Sequence, residues 1–174
     1  MKFASKFVLA FFIAFAFLFQ TTQAQDITPS KKMYGKSFYH QKAPDFVVEK
    51  WLSDEPNTKG KFVMIDFWAT WCGPCKRAIP QFNEWHNKYK DRMVVIGVSD
   101  EPEAKVLALK DPKKDYYSAI DTQKRMKNIY EVSGIPHVVI IDPKGIVRWQ
   151  GFPFLSGFEL TDAVIDEILE KYGK

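Results

Sequence analysis

Phe62-Val63-Met64-Ile65-Asp66-Phe67-Trp68 runs through Ala69-Thr70 into Trp71-Cys72-Gly73-Pro74-Cys75. The first part is a short apolar run interrupted only by Asp66, and the Pro, Asn and Gly between Asp54 and Lys61 set it apart from what precedes it. It reads as a buried strand. After the cysteines, Ile79, Phe82, Trp85, His86 and Tyr89 fall at helical spacing as far as Lys90. Pro80 within that run is expected to kink the helix. The only two cysteines of the chain therefore stand three positions apart, where a strand turns into a helix. A thiol pair in such a place can close into a disulfide and reopen, which points to thiol-disulfide exchange.

The two sulfurs are expected to do different work. Cys72 falls at the exposed start of the helix, where unpaired backbone N–H groups and the helix dipole favour a thiolate and lower its pKa from about 8.5. Cys72 is thus the expected nucleophile. Cys75 lies one turn further along, less exposed and poised to attack a mixed disulfide. Pro74 suits the first helical turn because the N–H it lacks has no partner there.

Other uses of a C-x-x-C pair fit less well. A structural zinc site wants four N or S ligands, and only His40, His86 and His137 are available to complete one. None of them has metal-ligand spacing, so no metal is expected. Covalent haem attachment needs His directly after the second cysteine, where Lys76 stands. A purely structural disulfide stays open as a reading, although so short a loop constrains an unfolded chain little. No cofactor is expected.

The first residues bear on location. Lys2 and Lys6 precede the apolar stretch Phe7 to Phe19, and Thr22-Gln23-Ala24 offers the small residues a signal peptidase reads. This layout predicts a signal peptide over residues 1–24, cleaved after Ala24. The apolar stretch has 13 residues, short of the roughly 18 a membrane anchor needs. Export places the chain in a periplasmic setting where disulfides persist. Residues 25–42 are polar with scattered aromatics and read as a linker, and 43–174 as one domain large enough to bury its own core. Without Lys2 and Lys6 the chain carries 23 basic against 21 acidic side chains. That balance gives no reason to expect nucleic-acid binding.

Further along, Phe46 to Trp51 reads as a short strand, Met93 to Ser99 as an apolar strand, and Glu101 to Lys110 as a helix with Pro102 in its first turn. Tyr116 to Ile120 reads as a brief strand and Thr122 to Tyr130 as a short helix. Val138 to Ile141 and Ile146 to Trp149 flank the turn Asp142-Pro143-Lys144-Gly145. Ser156-Gly157-Phe158-Glu159 has the spacing of a capping box before an amphipathic helix ending at Tyr172. Strands alternating with helices, closed by a hairpin and a terminal helix, indicate an α/β sandwich with a mixed central sheet and helices on both faces.

Ile65-Asp66-Phe67-Trp68-Ala69-Thr70-Trp71-Cys72-Gly73-Pro74-Cys75-Lys76 resembles the active-site segment of thioredoxins, and Gly134-Ile135-Pro136 resembles their cis-proline loop. The leader, the opening Ala43-Pro44-Asp45-Phe46 and the hairpin Ile140-Ile141-Asp142-Pro143-Lys144-Gly145 resemble the exported TlpA-like branch, over about Lys42 to Lys174. The resemblance implies a thioredoxin-like three-layer sandwich with an extra segment between Glu101 and Tyr130. It also implies that Cys72 attacks, Cys75 resolves, and Asp66 is a buried carboxylate of raised pKa behind the second cysteine. A strand aspartate satisfied by hydrogen bonds is the alternative for Asp66. Substrate is implied to bind at Trp71, Gly73, Pro74, Ile135 and Pro136, with Trp71 covering Cys72 and Ile135 offering backbone groups to an extended peptide.

Two departures from the branch stand out. Its members often carry glutamate where this chain has Ala78, which leaves the acid-base role to Asp66. His137 follows the cis-proline, where a small polar residue is more usual; it is expected either to titrate and tune the thiolate or to be half-exposed and inert. The implied activity is reduction of disulfides in exported proteins by a monomer, with electrons from a membrane thiol transporter. A peroxidase-like redoxin and a peptide-binding module are the alternatives. The Pro-x-x-x-Thr-x-x-Cys signature of the first is absent, and the intact Cys-Gly-Pro-Cys speaks against the second.

Overall fold

The computed structural model describes residues 33–173. The expected signal peptide and the first part of the linker lie outside them. Six strands form one sheet in the order β1-β4-β3-β2-β5-β6. Their ranges are β1 Lys50–Trp51, β2 Phe62–Trp68, β3 Met93–Ser99, β4 Tyr117–Ile120, β5 His137–Ile141 and β6 Val147–Gly151. β2, β3 and β4 run parallel, whereas β1, β5 and β6 pair antiparallel with their neighbours, so the sheet is mixed as expected. The helices are α1 Gly73–Tyr89, α2 Glu103–Ala108, α3 Arg125–Ile129 and α4 Asp162–Tyr172. None of them is long and apolar enough to cross a membrane.

The pleat of β2 sorts its side chains onto two faces. Phe62, Met64 and Trp68 join Ile79, Phe82 and Trp85 of α1 and Val164, Ile165 and Ile168 of α4 in one core. Ile65 and Phe67 point the other way, to Met126 of α3 and to Tyr130. Asp66, in phase with Met64 and Trp68, is thereby sent to the face that α1 covers. His137, Val139 and Ile141 alternate with Val138 and Ile140 along β5, and Val138 and Ile140 belong to the α1 face. His137 therefore faces away from the cysteines.

From Met33 onward the stretch read as a linker lies on the α3 side of the sheet. The Phe38 ring stands edge-on to Tyr130 at 5.1 Å between centroids. The Phe38 N–H donates to Gln150 Oε1 at 2.9 Å, and Lys42 bridges Ile146. Several element ends differ from the sequence reading; α3, for one, begins at Arg125 and not at Thr122. Strand pairing keeps only Lys50–Trp51 of the Phe46 to Trp51 segment, because Phe46 and Val48 pack on the core below the sheet instead. α2 is confined to Glu103–Ala108, with Pro102 before its first residue. α4 is capped by Thr161, whose Oγ1 accepts the Val164 N–H at 3.3 Å, and not by Ser156. The Ser156–Glu159 segment closes on itself: the Gly157 N–H donates to Glu159 Oε2, and Gly157 takes φ +81°. α1 runs through Pro80, whose ring sits on the exposed side.

Candidate active site

β2 delivers the Ala69-Thr70-Trp71 turn directly onto the N-terminus of α1. Cys72 is the N-cap residue, and Gly73 and Pro74 form the first turn. Cys72 and Cys75 are joined as a disulfide, with their Cα atoms 5.2 Å apart. The Cys75 N–H donates to Cys72 Sγ at 3.2 Å, so the sulfur takes the place of the usual capping oxygen. Cys72 is only 3 % exposed, more enclosed than its position at a helix start suggested. Ile135 packs against the core that contains both cysteines, and its carbonyl oxygen lies 3.7 Å from Cys72 Sγ. The Ile135–Pro136 peptide is cis. Trp71 is 65 % exposed and reaches into solvent.

Asp66 is 2 % exposed. The Tyr116 hydroxyl donates to Asp66 Oδ2 at 2.9 Å, while Oδ1 has no hydrogen-bond partner among the described residues. The strand beside Asp66 carries Gly97 at the paired position. A Cβ at Gly97 would stand 2.8 Å from the Lys114 ammonium, so the missing side chain makes room for a lysine that arrives from the segment before β4. Lys114 Nζ is buried, stacked 3.9 Å from the Trp68 ring centroid and 5.1 Å from that of Tyr116. Burial pushes the Asp66 carboxyl up, and the nearby Lys114 charge and the Tyr116 hydroxyl partly oppose it. Burial pushes Lys114 down, opposed by Asp66. A cavity of about 340 Å³, lined in part by Trp68, Lys114 and Tyr116, opens beside this group.

A second carboxylate holds the turn that precedes Cys72. Glu101, 5 % exposed, accepts the Thr70 N–H and, at 2.8 Å, the Thr70 hydroxyl, and Lys105 lies 3.1 Å away. Burial alone would raise its pKa, but the Thr70 and Lys105 interactions outweigh that and hold the carboxyl below its usual range. Ala78 is buried in the α1 face and brings no acid to the site.

His137 is neither half-exposed nor a tuner of the thiolate. Its exposure is 0 %, it faces Phe67 and Gln150 on the opposite side of the sheet, and burial lowers its pKa to about 4. It stays neutral wherever the thiols titrate. Lys114, Tyr116 and Glu101 escaped the sequence reading. The one local hint was Gly97 inside an apolar strand, since glycine there marks a close approach. Among the described residues no three His, Cys, Asp or Glu side chains come together as a metal-binding set.

Residues 39–150 match the profile of the AhpC/TSA family, well over half of the chain. The chain belongs to the AhpC/TSA family. Within it, this AhpC/TSA protein is 33 % identical over 116 residues to the thioredoxin-like protein YneN of Bacillus subtilis, covering 62 % of this chain and 68 % of that one. It is 36 % identical over 138 residues to the thiol-disulfide oxidoreductase ResA of Bacillus thuringiensis subsp. konkukian, covering 75 % and 76 %. Of the Bacillus subtilis ResA it spans 62 %, a little under two thirds. Among solved structures it resembles a protein described as DsbE, a thiol:disulfide interchange protein, from Chlorobium tepidum. The TM-score is 0.60 at 28 % identity, over 76 % of this chain and 96 % of that one. These relatives agree with the thioredoxin fold and with the TlpA-like branch inferred from the motifs.

Proposed function

We propose that this thiol-disulfide oxidoreductase is exported and reduces disulfides of envelope proteins. The observation that carries the reading is the Cys72–Cys75 pair at the N-terminus of α1, beside the Ile135 carbonyl; the buried Asp66, on the face of β2 that α1 covers, supports it. In the reduced protein the Cys72 thiolate attacks one sulfur of a substrate disulfide. That S–S bond breaks, the departing sulfur takes up a proton, and a mixed disulfide forms. Cys75 then gives its proton to Asp66, a base whose raised pKa suits a thiol donor. The Cys75 thiolate attacks Cys72 Sγ, the second substrate thiol leaves, and two electrons have passed to the substrate. The Cys72–Cys75 disulfide is the product, and an external dithiol of the membrane is the proposed source of electrons for its reduction. An extended substrate would pair with the backbone at Ile135 and Pro136 and lie across Trp71, Gly73 and Pro74.

Insulin reduction by the purified protein tests the reaction, and no turnover would sink it. In a Cys75→Ser variant the mixed disulfide has no resolving thiol, so envelope proteins should be captured on Cys72. Asp66→Asn should leave the first attack nearly intact and prolong the intermediate in stopped-flow reduction of a model disulfide. N-terminal sequencing should begin at Gln25; a full-length membrane product would contradict cleavage.

A further inference from the structure

The loop between β6 and α4 adds a surface that the redox chemistry does not use. Phe152 and Phe154 stand edge-to-face, their ring centroids 6.1 Å apart, over the first turns of α1. With Pro74 and Arg77 they line an open groove of about 330 Å³. The loop is braced by its own backbone: the Leu155 N–H donates to the Phe152 carbonyl, Phe158 to Leu155, and Leu160 to Pro153. The aromatic wall is therefore built before any partner arrives. Phe154 is 43 % exposed, a large apolar side chain held out of the core. Arg77 folds back along α1 until its Nη1 lies 3.5 Å from where a Cβ on Gly73 would stand. Among the described residues no carboxylate pairs with it.

We propose that this groove selects the substrate: it takes an apolar side chain of a disulfide-bearing protein segment, while Arg77 pairs with a carboxylate next to it. The inference rests on the oxidoreductase reading and names the substrate class of that same site. Two features point to this occupant. The groove shares Pro74 with the Cys-Gly-Pro-Cys turn, so it lies within reach of residues flanking a cysteine engaged at Cys72. Among its described lining residues the one charge is the Arg77 guanidinium, suited to carboxylates and set beside apolar walls with room for an apolar side chain.

The test uses the reduced protein and four disulfide peptides alike except for the two residues beside the attacked cysteine: Leu-Glu, Leu-Lys, Ser-Glu and Ser-Lys. The wild type should show a kcat/KM about fivefold higher for Leu-Glu than for Leu-Lys, the size of one exposed ion pair. A similar preference, about fivefold, is expected for Leu-Glu over Ser-Glu from partial burial of the leucine. In Arg77→Glu the Glu/Lys preference should invert while the Leu/Ser preference stays. In Phe154→Ala the Leu/Ser ratio should fall toward one while the Glu/Lys preference stays. Because each result is a ratio within one variant, altered folding or thiolate reactivity cancels. Ratios that do not change in the variants, or a wild type with no preference, overturn the groove while leaving the redox reading intact. Failure of the wild type to reduce even hydroxyethyl disulfide overturns the redox reading, and the groove with it.

Discussion

A lysine ammonium held between two aromatic rings, next to a carboxyl with one unpartnered oxygen, makes Asp66 more than a solitary buried acid. Burial carries its pKa to about 7, and Lys114 restrains the rise. Removing the cation in Lys114→Met should move the Asp66 titration, followed by carboxyl ¹³C NMR, to higher pH. It should also lengthen the mixed-disulfide lifetime at neutral pH, with recovery as the pH is raised. An unmoved midpoint would show that the two groups do not interact. Asp66→Asn likewise removes the one charge that holds the Lys114 pKa up against burial, so Lys114 should lose its proton more readily and the cost of the variant includes the loss of that partner. For stability the sign is set by proton binding. Between about pH 4 and pH 7 the unfolded chain has lost the Asp66 proton and the folded chain retains it, so this residue makes stability fall as pH rises through that window. Glu101 acts in the opposite sense. Its lowered pKa gives stability that is present above about pH 4 and lost as acid protonates the folded carboxyl. Glu101→Gln should cost about 1.5–3 kcal/mol in urea unfolding near neutral pH and remove this acid dependence. The cysteines and Asp66 were legible because they lie in one local run. Lys114, Tyr116 and Glu101 were not, because chain reversals bring them from 31 or more residues away, as for Thr70 with Glu101 and Asp66 with Tyr116.

Elements with a full apolar period were read with little error. β2 and β3 match their expected limits, and α1 ends one residue short of Lys90. Where a segment's apolar residues go to a loop or to the other core, periodicity overstates its length, as with Phe46 and Val48 before β1. The capping of α4 shows the same limit. Ser156 and Glu159 have the right spacing, but a positive φ at Gly157 turns the chain before a helix can start. Thr161→Ala should therefore cost about 1 kcal/mol, and Ser156→Ala close to nothing, in denaturant titrations of the two variants. Equal losses would restore the earlier cap. The Trp85 indole, which donates to Asp162 Oδ1 at 2.6 Å, ties the start of α4 to α1, so the cap also steadies the helix that carries the cysteines.

At the scale of the molecule, the two faces of the sheet divide the labour. α1 and α4 cover the redox side, while α3 and residues 33–48 cover the back, where His137 and Gln150 are sealed. A protein shortened to begin at Ala43 should lose the Phe38 contact with Tyr130 and the Gln150 hydrogen bonds to Phe38 and Lys36, and melt lower, by about 2–4 °C per kcal/mol lost at this chain length. The same melting temperature would mean that this segment only lies on the surface. The sulfur that caps α1 is also one of the two that the proposed reaction oxidises and reduces. A thiolate accepts the Cys75 N–H more strongly than a disulfide sulfur does, so electrons arriving at Cys72 tighten the first turn of its own helix. Folding and reduction then form one thermodynamic cycle. The gap in unfolding free energy between dithiol and disulfide forms must equal the gap in reduction potential between the folded chain and its unfolded counterpart, about 1.4 kcal/mol for each 30 mV. A pair of denaturation curves thus serves as an electrode for this protein.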